Sequence, residues 1–423
     1  MKKRILSSFL LITILTLLIT GCSSKQTNPD TAIDNSSDTE DSQEFNPSKD
    51  FDEILEEAKG STVTFYGWGG DEYRNTWLKE TVASTLKEKY DITLDVVGMD
   101  IDDILAKLSG EKQAGEEEGS IDMIWINGEN FYSAKESDLL FGPFVEHLPN
   151  FDKYIDTDDE EVKNDFGFPI EGYEAPYSKA QMVLINDSAV TEETPSSSDE
   201  FMDYAKKHEG KVTYPALPDF TGSAFVRTLI YDIVGHEQFL DMEADKEVVK
   251  EAIEPALEYL RELNQYLWNQ GKTFPATSGE VDNMFADGEL VMTMSYGPYT
   301  VATEIDKGVY NDTTQTFLFD NGTVGNTNYM AIAKNSPNKA GAMVAINEII
   351  SAEIQATQFE ELRSLPVVDY NKLDDEEKAK FDNVDIGQGV LPQDELLSKR
   401  LPEMPADIVP IVEEIWEEEV VGK

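Results

Sequence analysis

Two α/β lobes follow from three features of this chain. Its 423 residues exceed one ordinary domain and suit two. From Thr62 onward, short apolar runs alternate with helix-periodic segments, the rhythm of strand, crossover helix and parallel strand. Around Phe166 longer extended segments with prolines at their edges take over, and then the alternation resumes. A composition 40% hydrophobic and 10% aromatic is enough to bury such cores.

The chain opens on a leader. Lys2-Lys3-Arg4 is basic, and Ile5 to Ile19 is an almost unbroken apolar run, short for a membrane-spanning helix and suited to an export signal. Ile19-Thr20-Gly21-Cys22 resembles the bacterial lipobox, in which the cysteine thiol is diacylated and becomes the new N-terminus. An uncleaved anchor with a chance cysteine is the other reading. Lipidation at Cys22 implies a protein held on the extracytoplasmic face of the cell membrane, because each buried acyl CH₂ contributes about 0.8 kcal/mol. Residues 23–50 are Ser, Thr, Asn, Asp, Gln and Pro with almost nothing apolar, so they read as an acidic, flexible tether. Folded sequence is expected from Phe51.

Thr62 to Gly67 reads as a buried strand, Asn75 to Tyr90 as an amphipathic helix and Ile92 to Val97 as a second strand. Ile101 to Leu108 reads as a helix, Gly110 to Gly119 as a loop and Ile121 to Ile126 as a third strand. In open α/β sheets, ligands bind beyond the carboxyl ends of strands. Those ends are Trp68-Gly69-Gly70-Asp71 and Asn127-Gly128-Glu129-Asn130-Phe131, expected as loops. Phe166 to Ile170 and Ala175 to Asn186 look extended. Further on come a helix over Asp199 to His208, a strand over Gly210 to Pro215 and a helix beginning after Asp219. A long helix is expected over Lys246 to Asn269, broken or restarted at Pro255. Val281 to Ala286 reads as helix and Glu289 to Ser295 as strand. Asp374 to Phe381 and Asp407 to Glu419 look helical, with Glu413 to Glu419 a solvated acidic face.

The charge balance narrows function. With 34 Lys+Arg against 84 Asp+Glu, the net charge is −50, which repels phosphate backbones and argues against nucleic acid. A single cysteine excludes an intrachain disulfide and a multi-cysteine zinc site. No cofactor or metal is expected.

At Met284-Phe-Ala-Asp-Gly-Glu-Leu-Val-Met-Thr-Met-Ser-Tyr-Gly-Pro-Tyr299 the chain resembles the solute-binding proteins of bacterial ABC importers. Ala331-Ile-Ala-Lys-Asn-Ser-Pro-Asn-Lys-Ala340 is similar to the strand-to-helix return of the maltodextrin-binding branch. Tyr66-Gly-Trp-Gly-Gly70, Asp122 to Asn130, Pro176 to Gln181 and Asp219 to Ser223 resemble the YnjB-type subgroup, whose relatives include thiamine-binding proteins. The resemblance covers about Thr62 to Ser351. It implies a two-lobed, type II periplasmic-binding-protein-like fold with the ligand cleft between the lobes. Lobe one is then 51–178 with 326–365, and lobe two 179–325 with 366–423. It also implies a monomer that hands its solute to ABC permease and ATPase subunits.

Each candidate cleft residue has two readings. Trp68, between glycines after a strand, could stack on a solute or sit in the core; Gly69 and Gly70 allow close backbone approach. Asn127, Glu129 and Asn130 could hydrogen-bond or ion-pair with a solute, or be solvated, whereas Trp125 reads as core. Tyr177 falls at the expected crossover between lobes. Thr221 and Ser223 precede a helix and could hold an anion or form an ordinary N-cap. Arg227 could bind a carboxylate or phosphate, or pair with a neighbouring acid. Tyr296 and Tyr299 flank Gly297-Pro298, and the resemblance implies an aromatic stacking residue at Tyr299. The solute stays open: a thiamine-like cation, a sugar or a phosphorylated compound.

Enzyme readings have less behind them. His147, His208 and His236 are scattered, and neither a nucleophile elbow nor a phosphate-cradling glycine loop is present. Abundant carboxylates leave an extracellular carbohydrate-active enzyme as one alternative, and a surface adhesin or scaffold as another.

Overall fold

A computed structural model describes residues 45–240 and 242–423. The leader, Cys22 and the tether up to residue 44 lie outside the described residues. Phe45, ahead of the expected start near Phe51, already packs on the body. The Phe45 ring packs 5.8 Å from Phe141, and Asp50 caps the helix Phe51–Ala58 by accepting from the Asp52 N–H. One aromatic in a hydrophilic run gives no periodicity to read. Among the described residues, no helix is long and apolar enough to cross a membrane.

The first lobe is built on strands β1 (Thr62–Gly67), β2 (Thr93–Gly98) and β3 (Met123–Ile126). β1 pairs in parallel with β2, Thr62 opposite Thr93, and with β3, Phe65 opposite Met123. This is the expected βαβ arrangement. The first crossover runs through helices Glu72–Trp77 and Ala83–Tyr90 with a π-helical stretch, Leu78–Val82, between them. The second crossover helix, Ile101–Ala114, continues through Gly110, where a loop was expected. Its last turn is anchored by Glu111, which is buried and accepts from Ser120 Oγ and Asn335 Nδ2. The segment after β3 is likewise no loop: Gly128–Glu136 is a helix.

Strands β4 (Glu174–Gln181), β5 (Val183–Asp187), β6 (Met292–Ser295), β7 (Thr314–Phe317) and β8 (Thr323–Ala333) complete the main frame. β8 is buried along its whole length and lies antiparallel to both β3 and β4. β5 sits between β6 and β7 in a second, antiparallel sheet. The chain therefore changes sheets at Met182, between β4 and β5, and returns between Phe317 and Thr323. The second sheet is covered by helices Phe220–Val234 and Lys246–Asn264 and by the C-terminal helix Val409–Glu419, around Phe225, Leu260, Phe319 and Trp416.

Two local expectations fail here. Gly210 to Pro215 forms no ladder; the carbonyls of Lys211 and Val212 accept instead from Val291 and Trp268. Lys246–Asn264 runs through Pro255 without a break and ends at Asn264. Pro255 and Glu251 are both exposed, so the carbonyl that loses its donor can bind water.

Candidate functional site

A cleft of about 1250 Å³ opens between the two sheets. Its floor is made by Ser178, Lys179 and Ala180 of β4 and by Asn326 and Asn328 of β8. Strand ends and helix starts of the first lobe form one wall, and the helices starting at Phe220 and Thr300, with the C-terminal helix, form the other. Of the residues singled out from sequence, Trp68, Asn127, Glu129, Asn130, Thr221, Ser223, Arg227, Tyr296 and Tyr299 line it.

Trp68 is 50% exposed. A Cβ at Gly70 would stand 2.4 Å from its ring, so glycine there lets the indole fold back over the backbone. Gly69 serves packing instead. It abuts Gly98, whose added Cβ would lie 2.8 Å from the Gly69 Cα. Neither Gly69 nor Gly70 lines the cleft, which corrects their reading as ligand-approach positions. Tyr177 is corrected as well. Its side chain is 1% exposed, between Phe65 and Trp77 at 6.4 and 6.3 Å, and burial pushes its phenol up to about 12.

On the first wall, Asp71 accepts from the Arg74 N–H at 3.0 Å and so caps the helix that follows β1. The Arg74 guanidinium pairs with Asp71 at 3.4 Å and lies 4.6 Å over the Trp125 ring. Trp125, read as core from sequence, faces the cleft. Asn127 donates to Asn328 Oδ1 at 2.8 Å, tying this wall to the floor. Gly128 takes φ +58° and its N–H donates to the buried Asp165, which fixes the turn presenting Glu129 and Asn130. Burial, then the charge of Glu413, pushes the Glu129 carboxyl above the usual carboxylate range.

On the second wall, Asp219 accepts from the Gly222 N–H at 3.0 Å, so the helix Phe220–Val234 carries an ordinary N-cap. Arg227 is 1% exposed and pairs with Glu403 at 3.0 Å. It also donates to Ser223 Oγ, which in turn donates to Glu413. Of the two readings of Arg227, pairing with an acid is the one the structure adopts. Tyr296 packs edge-on against Phe220, centroids 4.8 Å apart, and its hydroxyl donates to Glu403. Tyr299 is 1% exposed and packs 5.8 Å from Phe359, so most of its ring is core rather than a free stacking face.

Sequence reasoning missed Arg74, Trp125, Phe220, Asn326 and Glu413 at the cleft. Only Glu413 left a readable signal. Val409, Val412, Glu413, Trp416 and Val420 fall at helical spacing, so an acid occupies a position on the apolar stripe. Glu414 and Glu418, by contrast, pair with Lys246 at 2.9 Å on the outer face. Among the described residues, no group of three or more His, Cys, Asp or Glu is placed to hold a metal ion.

Residues 81–380 match the family model described as bacterial extracellular solute-binding protein. The chain is 33% identical over 371 residues to Protein YnjB of Escherichia coli strain K12, covering 87% of this chain and 93% of that one. It resembles the solved structure of an ABC transporter protein from Clostridium perfringens with a TM-score of 0.60 at 19% identity, over 84% of this chain and 98% of that one. The spermidine/putrescine ABC transporter substrate-binding protein PotD of Streptococcus pneumoniae matches with a TM-score of 0.57 at 14% identity, over 84% and 99%.

Proposed function

The chain belongs to the bacterial extracellular solute-binding proteins, with their two-lobed type II fold, and from that premise we propose how it works. It captures a small organic solute between its lobes outside the cytoplasm and delivers it to the permease and ATPase subunits of an ABC importer. The observation that carries this reading is the cleft itself. At about 1250 Å³, lined by Trp68, Trp125, Phe220 and Tyr296 with polar groups among them, it suits one small molecule touching both walls. Lobe one is assigned to 51–178 with 326–365 and lobe two to 179–325 with 366–423, joined by extended strands that can act as a hinge. A solute bound to both lobes favours the closed state by its differential affinity. Lipid at Cys22 and the tether after it keep the body near its permease. The solute leaves unchanged, so the protein is a carrier and not an enzyme.

Native mass spectrometry of the full chain, released gently from its cells, tests this reading. A bound small molecule recovered intact is the expected result. Steady conversion of that molecule to product would favour the carbohydrate-active alternative and sink the carrier reading.

A further inference from the structure

The cleft holds buried hydrogen-bond donors that no described residue satisfies, and most of them belong to the first wall. Arg74 Nε and Nη1 and Trp125 Nε1 are shielded from solvent and have no hydrogen-bond partner among the described residues. Both side chains line the cleft. So does Asn326 on the floor, 3% exposed, whose Nδ2 also lacks a partner. Buried donors left unpaired are uncommon in folded proteins and call for an acceptor from a water or a ligand.

Arg227 shows what a structural arginine looks like in the same cleft. Its Nε and Nη2 donate to Glu403 and its Nη1 to Ser223, so every nitrogen has a partner. Arg74 makes one ion-pair contact, Nη2 to Asp71 at 3.4 Å, and its other two nitrogens are left without an acceptor. Its position is nevertheless fixed. Asp71 accepts from its backbone N–H at 3.0 Å, and the guanidinium stacks 4.6 Å over the Trp125 ring. A stacked, oriented guanidinium with unpaired N–H groups suits a planar oxyanion.

A small cavity of about 10 Å³ adjoins this wall. Trp68, Arg74 and Trp125 line both the cavity and the cleft, and Phe65, Leu78 and Val96 give the cavity apolar walls. It has room for one water or one oxygen atom. Trp68 is half exposed, so its ring can turn aside without opening a core. The charge of the acceptor follows from its surroundings. A guanidinium strengthens a hydrogen bond to an anion over one to a neutral group. Acidic side chains outnumber basic ones among the cleft residues, eight to five, and like-charge repulsion penalises a doubly charged phosphate more than a single charge.

Resting on the solute-capture reading, we infer that the solute carries a carboxylate, seated against Arg74. Its oxygens accept from Arg74 and from the Trp125 indole N–H, the body of the solute lies against Trp68, and a second acceptor meets Asn326.

The test uses the full chain in mild detergent, with Arg74→Gln and Arg74→Lys, and thermal melts confirm that each variant is folded. The co-purified solute is released and weighed before and after esterification in acidic methanol, which adds a methyl to each carboxyl group. Calorimetry uses that solute, nicotinate and succinate as carboxylate probes, nicotinamide as the neutral counterpart of nicotinate, fructose 6-phosphate as a phosphate and choline as a cation. The expected result is a solute that gains a methyl, and a carboxylate ligand bound at least about tenfold more weakly by Arg74→Gln than by wild type. Arg74→Lys keeps the charge without the planar fork and should recover part of that loss. A solute that gains no methyl, or that Arg74→Gln binds as tightly as wild type, overturns the carboxylate assignment. It leaves the unpaired donors to water and solute capture standing. A chain that carries no small molecule and takes up none of the probes overturns solute capture itself.

Discussion

Arg227 shows how its neighbours settle what an ionised side chain can do. Read alone, a helical arginine one turn after a Thr-Gly-Ser turn can meet an anion; in place, it pairs with Glu403 and supports Ser223. Removing it leaves a buried carboxylate without its partner. Arg227→Ala should therefore cost about 3–5 kcal/mol of folding stability, measured by urea titration. An unchanged unfolding midpoint would show that Glu403 does not need the pair. Trp68 is the opposite case, a half-exposed ring outside every buried core cluster. Trp68→Ala should leave the melting temperature nearly unchanged while weakening solute binding about tenfold, and Trp68→Phe should be milder because a ring remains. Calorimetry beside a thermal melt reads both quantities. Equal affinity in wild type and Trp68→Ala would remove the indole from the site.

At the scale of elements, helix starts do much of the positioning. Asp71 and Asp219 each cap a helix whose first turn faces the cleft, so Arg74 and Ser223 are set by backbone geometry. Next to the second of these, the helix Ser278–Ala286 carries a titratable group of its own. Asp282 accepts from Thr293 Oγ1 at 2.7 Å and from the Tyr310 hydroxyl at 3.3 Å. Burial outweighs those bonds and pushes its carboxyl up to about 6. The folded chain then binds more protons than the unfolded one between about pH 4 and pH 6. Stability from this site is therefore lost as pH rises through that window. Asp282→Asn retains an acceptor and carries no charge, so at pH 7.5 it should be more stable than wild type by roughly 1–3 kcal/mol. The gap should close by pH 4. A variant no more stable than wild type at pH 7.5 would mean that the carboxylate is adequately solvated.

At the scale of the whole molecule, the folded body and the proposed lipidation at Cys22 can be tested separately. Everything from Phe45 onward packs as one compact unit, and Cys22 lies ahead of it. Replacing Cys22 with Ala should abolish acylation and leave the leader uncleaved, while the body keeps its fold and its affinity for solute. Metabolic labelling with a fatty acid, followed by fractionation of membranes, checks this. Equal label in wild type and variant would place the lipid elsewhere or nowhere.

What the sequence determined by itself was periodic or local. Apolar strands at Thr62, Thr93 and Met123 alternating with amphipathic helices specify parallel βαβ pairing, because each short strand must bury its faces under crossover helices. The motifs at Met284 to Tyr299 and Ala331 to Ala340 carried the family, and most of the aromatics and polar groups named at strand ends, helix starts and the first of these motifs line the cleft. Tertiary structure decided what depends on partners distant in sequence. Tyr177 belongs to the core because Phe65 and Trp77 close around it, and Trp125 lines the cleft with the Arg74 guanidinium across its ring. Arg227 is neutralised by Glu403, 176 residues away, and Glu413, in the same C-terminal region, lines the cleft and accepts from Ser223. A side chain's type fixes the interactions it can make. Which of them it makes is set by the burial and charge that the folded chain assembles around it.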